Sequence, residues 1–226
     1  MSDDRLCAMR PSNHLGRFVV PPHLWRLRPF YWLTIDALDW LFPFCAVNLL
    51  WVLCSLTVVL FPPATAALFE TAVQAYRGRS PSAGAFLIGV RRWLGPAWLW
   101  AFPNGLMVAS AIVVGQDPGV NEMVATITAA VVALALLGQI YVWPYMMLQD
   151  RPRLSQALRN SLFTVLADPL LTGMNLGLTV VIGIPGIVII APVLFILPVF
   201  FALLYTYTLV AWLGRHRLLP EPVREN

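Results

Sequence analysis

Polar and apolar positions in this chain separate into long blocks instead of alternating. Residues 40–69, 93–116, 123–149 and 169–214 contain no Asp, Glu, Lys or Arg. Each block exceeds the roughly 20 residues a helix needs to cross a bilayer core. Pro62-Pro63 interrupts the first block. Proline suits the first turn of a helix, where no backbone donor is required, so the pattern predicts one helix over 39–60 and a shorter one over 63–76. The last block divides near Ala191-Pro192 into two helices. The fold class expected is all-α: a polytopic transmembrane helical bundle of six crossings with a short second one.

Arginine placement supplies the even number. All 15 basic residues are Arg. They occupy four segments: the stretch before Asp36 (Arg5, Arg10, Arg17, Arg26, Arg28), then Arg77, Arg79, Arg91 and Arg92, then Arg151, Arg153 and Arg159, and finally Arg215, Arg217 and Arg224. Arg-rich segments face the cytoplasm, so the first two must share a side, and a single crossing between them cannot achieve that. The expected arrangement is a multi-pass membrane protein with both termini cytoplasmic. Residues 63–76 reach only about 21 Å at 1.5 Å per residue and include Glu70. The alternative is therefore five crossings plus a re-entrant segment. Trp32, Trp40, Trp93 and Trp212 fall near the expected cytoplasmic boundaries, where indoles favour headgroups; Trp51, Trp98 and Trp100 lie deeper.

Composition agrees. The chain is 59% hydrophobic and 12% charged, with a mean hydropathy of +0.73, against about 25% charged for soluble domains. A water-soluble globule is excluded. The organisation expected is a cytoplasmic Arg/Pro-rich tail over 1–35, a single transmembrane helical domain over 36–214, and a cytoplasmic tail over 215–226. Arginines and prolines interrupt the first tail, so it does not read as a cleaved signal peptide. The net charge of +4 comes from arginines scattered between apolar blocks, a topology signal and not a nucleic-acid footprint. The lipid bilayer is the first partner expected, and nucleic acid is not one.

Little in the chain points to catalysis. Cys7, Cys45 and Cys54 form no disulfide framework or metal spacing. His14, His23 and His216 lie in the tails, and no phosphate loop, nucleophile elbow or zinc motif occurs. No enzyme activity, metal or cofactor is expected. Asp36 and Asp39 read as a capping pair at the start of the first span. Glu70 is the carboxylate placed inside a span, and an ionisable group there is a functional candidate because its charge is costly to bury. Its nearest hydroxyls in sequence are Thr65 and Thr71. Asn48, Asn104, Gln139 and Asn175 can bond across helices, and Gly173 with Gly177 forms a small-xxx-small step. Of these, Glu70, Asn48 and Asn104 are the candidate intramembrane functional residues. Prolines 43, 96, 103, 144, 185 and 198 are expected to kink their helices.

Two connections share a plan. Ser82 leads to Pro96, and Ser155 leads to Pro169 after a shift of 73 residues; each places a serine at an expected N-cap and a proline at the next span. The second is the better amphipathic helix. Leu154, Leu158, Leu162, Val165 and Leu166 form one stripe, with Gln156, Arg159, Asn160 and Thr164 mostly opposite. Such a helix lies along a membrane surface. Arg151, Arg153 and Arg159 make it the candidate surface for docking a partner.

The run from Asn48 to Leu56, followed by Phe61-Pro62-Pro63-Ala64-Thr65-Ala66-Ala67-Leu68-Phe69, resembles the signature of the YesL family. These are small bacterial membrane proteins with a domain of unknown function. The similarity continues through Arg77-Gly78 and covers most of residues 30 to 215. The resemblance implies genes beside carbohydrate ABC transporters and two-component regulators, but no reaction, so no catalytic residue is carried over. The family position matching Glu70 is usually aromatic or apolar, and this chain departs there. The expectation is a non-enzymatic accessory subunit of a carbohydrate ABC uptake or sensing system, with ABC transporter components or a sensor kinase as partners. The alternative is a small-solute transporter or channel-like pathway formed by a homo-oligomer. An enzyme acting on lipid ranks last, because no paired-acid or His-rich motif supports it.

Overall fold

The computed structural model describes residues 40–149, 151–188 and 196–216. These form nine α-helices: α1 Leu41–Ser55, α2 Phe61–Tyr76, α3 Ala83–Arg92, α4 Leu94–Gln116, α5 Glu122–Leu137, α6 Val142–Leu148, α7 Leu154–Ala167, α8 Pro169–Val188 and α9 Leu197–Arg215. No strand occurs among the described residues. Three helical stretches are long and apolar enough to cross a membrane: Leu94–Gln116, Glu122–Leu148 and Leu197–Arg215. A fourth arises if α7 and the following Pro169–Pro185 segment, bent by 98°, form one span. The arginine-rich tail, Asp36, Asp39, Trp32, Cys7, His14, His23 and the division at Ala191-Pro192 lie outside the described residues.

The short second helix is the centre of the bundle. α2 packs against α1, α3, α4, α6 and α9. Its alanines explain why: Ala64, Ala66, Ala67, Ala72 and Ala75 are all buried, and small side chains let neighbouring backbones approach from several directions. Pro62 and Pro63 occupy its first turn, as the proline rule requires. α9 supplies the second buried axis and meets α2 through an edge-to-face contact of Tyr76 with Tyr207, ring centroids 5.3 Å apart. By contrast, α4 and α5 pair with each other and leave most of their apolar surface exposed, as lipid-facing helices do. The break between α1 and α2 is tied down by Trp51 Nε1, which donates to Thr65 Oγ1 (3.2 Å), and by Trp98 Nε1, which donates to the Val59 carbonyl (2.9 Å).

The polar residues inside the apolar blocks join helices, as their type suggests. Asn104 and Gln139 exchange amide hydrogen bonds of 3.0 and 2.9 Å, and each also donates to a carbonyl one turn back, those of Trp100 and Ala135. Asn48 Oδ1 accepts from the Val199 backbone N–H (3.1 Å), anchoring α9 to α1. Asn175 donates to the Tyr141 hydroxyl (2.9 Å) and accepts from Thr208 (3.2 Å). A buried amide left unpaired costs about 1–3 kcal/mol, so these bonds fix helix register.

Four expectations change. Trp93 and Trp212 are buried in the protein and do not face headgroups. Gly173 and Gly177 have open space where a Cβ would stand, so among the described residues no close helix approach uses them. Ser82 does cap α3, accepting from Ala85 N (3.2 Å), but Ser155 lies inside α7, whose N-cap is Arg153. There Gln149 Oε1 accepts from the Arg153 N–H (2.9 Å) and does the anchoring. On α7 Thr164, expected on the polar side, is buried with Ala157 and Ser161, beside Leu154, Leu158 and Val165 of the expected stripe, while Leu162 and Leu166 are exposed, as residues laid along a membrane surface are. Hydroxyl bonds explain that burial: Ser161 Oγ accepts from Tyr141 N (3.0 Å), and Thr164 shares a 2.6 Å bond with the Tyr145 hydroxyl.

Candidate functional site

A cleft of about 340 Å³ lies where α2, α3 and α6 end, lined by Glu70, Gln74, Arg77, Arg79, Arg92 and Gln149 among others. Glu70, Gln74 and Arg77 succeed one another at intervals of four and three, so they share one face of α2. The helix then stops at Gly78. With φ of 71°, Gly78 occupies the left-handed region that other residues enter at a cost. Gly78 N donates to Ala75 O (2.8 Å) and Arg79 N to Gln74 O (3.0 Å). This is a Schellman closure, which satisfies the last carbonyls and turns the chain sharply. It places Arg77 and Arg79 on either side of the glycine, both on the cleft.

Glu70 is held by α3 and not by its own helix. Arg92 Nη1 pairs with Oε1 at 2.6 Å, and Trp93 Nε1 donates to Oε2 at 2.7 Å. Thr71, one of the hydroxyls expected to serve it, instead donates to the Ala67 carbonyl, and Thr65 to that of Phe61. The approach of α3 to α2 depends on Gly89. A Cβ there would stand 3.1 Å from Glu70 Oε2 and 3.2 Å from Ala67 Cβ. Trp93 in turn begins an aromatic chain, edge-to-face with Trp143 (6.2 Å), which meets Trp100 at 5.5 Å. The carboxylate therefore links the cleft to the aromatic core behind it.

A second, more open cleft of about 430 Å³ adjoins the first through Gln149 and is lined by Arg151, Arg153 and Gln156. Arg151, Arg153 and Arg159 are all exposed. The structure thus brings Glu70 to the same end of the bundle as the candidate docking arginines. Asn48 and Asn104 are not part of either cleft; they sit in helix packing. Sequence reasoning missed Arg92, Trp93 and Gln149 as neighbours of Glu70, although a lone carboxylate in an expected span signals that some donor must reach it. Cys45 and Cys54 are half-buried free thiols. Among the described residues no three of His, Cys, Asp and Glu gather as metal ligands.

This architecture defines an all-helical, membrane-compatible protein with an arginine-lined end. A family described as "Protein of unknown function, DUF624" matches residues 44–115. The matched stretch runs from α1 to near the end of α4, and so includes Glu70, Gly78, Arg92 and Trp93. No curated protein and no solved structure matches the chain.

Proposed function

We propose that this chain is a non-enzymatic integral membrane protein of the bacterial plasma membrane, similar to YesL proteins, serving as an accessory subunit of a carbohydrate ABC uptake or sensing system. The observation that carries the reading is how α7 is mounted. One face is fastened to α6 through Ser161 and Thr164, while Arg159 and the preceding Arg151 and Arg153 remain exposed. A rigidly held helix with a free cationic side is suited to docking an acidic partner surface, because little ordering entropy is lost on binding. The topology in this reading is six crossings with both termini cytoplasmic. α8 supports it by its 20 residues, about 30 Å long at 1.5 Å per residue. So does α2, whose modest apolarity suits a span enclosed by other helices.

The alternative, an autonomous solute pathway in a homo-oligomer, needs polar groups free to meet a solute. Asn104, Gln139 and Asn175 are instead bonded to protein partners, which favours the accessory reading. The test is affinity purification of the tagged protein after gentle solubilisation, followed by mass spectrometry. Recovery of an ABC permease, its ATPase or a sensor kinase supports the reading. Recovery of the chain alone, together with sugar flux in reconstituted liposomes, replaces it with the pathway.

A further inference from the structure

We propose that the cleft bounded by Glu70, Arg77, Arg79, Arg92 and Gln149 binds a phosphate group. This assignment stands on the cleft alone and does not depend on the docking reading. Three guanidiniums and one carboxylate line the cleft, a formal charge of +2. The carboxyl ends of α2, α3 and α6 meet there as well, each subtracting up to about half a unit, so the cleft keeps a small positive excess. A phosphomonoester carries about −1.5 to −2 at neutral pH, more than that excess, so what the cleft offers it is guanidinium hydrogen-bond donors and not a matched net charge.

The geometry favours phosphate over carboxylate. Arg77 and Arg79 come from the turn that ends α2 and Arg92 from the end of α3, so two separate elements bring guanidiniums to the cleft. A carboxylate has two oxygens to offer; a phosphate has three or four, matching forks that arrive from two elements. Arg77 and Arg79 have no ion-pair partner among the described residues. Arg92 is 59% exposed, with Nη1 engaged by Glu70 and the rest of its five-donor fork available. Gln149 also lines the cleft, but its Nε2 is shielded from it and its Oε1 is engaged by the Arg153 N–H, so the guanidiniums are the donors a phosphate meets. A volume near 340 Å³ equals about ten waters at ~30 Å³ each, room for a phosphate and part of what carries it. Glu70 then acts as a competitor: it occupies Arg92 Nη1 and keeps an empty cleft from being more strongly cationic.

The phosphate can belong to a lipid headgroup or to a soluble compound, and two measurements separate these. In the first, the full chain in phosphatidylcholine nanodiscs is titrated calorimetrically with inorganic phosphate, and with acetate for comparison. In the second, protein from mixed phosphatidylcholine and phosphatidylglycerol nanodiscs is examined by native mass spectrometry for retained phospholipid. Binding in the first with no phospholipid retained in the second identifies a soluble phosphate compound; retention in the second, with or without binding in the first, identifies a headgroup. In either, Arg77→Gln/Arg79→Gln is expected to weaken binding at least tenfold with an unchanged unfolding midpoint, and Glu70→Gln to strengthen it severalfold. The absence of both signals overturns the assignment, as does phosphate affinity unmoved by the double variant or matched by acetate.

Discussion

Glu70 has two donors of very different surroundings, and physical reasoning ranks them against intuition. The ion pair with Arg92 is the shorter contact, 2.6 Å, but Arg92 is 59% exposed. Exposed pairs are worth about 0.2–1 kcal/mol once screening and side-chain entropy are counted. Trp93 is only 6% exposed and donates to Oε2 at 2.7 Å. A hydrogen bond to a charged group contributes about 1.5–3 kcal/mol. Replacing the indole also weakens the edge-to-face contact with Trp143, a term of about 0.5–1.5 kcal/mol. Trp93→Phe is therefore expected to cost about 2–4 kcal/mol and Arg92→Gln less than about 1 kcal/mol. The assay is denaturant unfolding in detergent micelles followed by far-UV circular dichroism, which does not depend on the indole removed. If Arg92→Gln destabilises as much as Trp93→Phe, the carboxylate is held from the solvent side and the ranking by burial is wrong.

Two other perturbations test local parts of the same structure. Gly78→Ala forces a β-carbon into the left-handed region and is expected to cost about 1–2 kcal/mol, read as a lowered unfolding midpoint; an unchanged midpoint would mean that the Schellman turn is not the conformation that matters. Asn104→Leu removes the donor to Gln139 Oε1 and is expected to cost about 0.6–2 kcal/mol, whereas Asn104→Leu/Gln139→Leu should lose less than the sum of the single changes, measured as a double-mutant cycle in the same micelles.

Much of the bundle was legible because lipid imposes a simple rule on residues that face it. α4, α5 and α9 stand out as apolar runs, and Pro62-Pro63 marks the start of α2 within a residue or two. The importance of α2 was not legible for the same reason in reverse. A helix enclosed by protein needs small side chains more than apolar ones, so its alanines and Glu70 read as weakness when they are what permits five neighbours. Asn104 and Gln139 announced that they would bond across helices, but not to each other across 35 residues of chain. Glu70 announced a missing donor, yet Arg92 and Trp93 lie 22 and 23 residues away, on a helix whose approach hinges on Gly89. On α7 periodicity located the helix and its apolar stripe, of which Leu154, Leu158 and Val165 pack on the core, but not the buried anchors Ser161 and Thr164, whose hydroxyl partners on another helix no period reveals.

The docking surface on α7 can be tested in place by incorporating a photo-crosslinking amino acid at Arg159, irradiating the native membrane and identifying adducts by mass spectrometry. An accessory subunit gives adducts with an ABC permease, its ATPase or a sensor kinase, and loses them when the photo-crosslinker is moved to Ser161 on the buried face of the helix. Adducts with lipid or with a second copy of the chain alone would contradict the account.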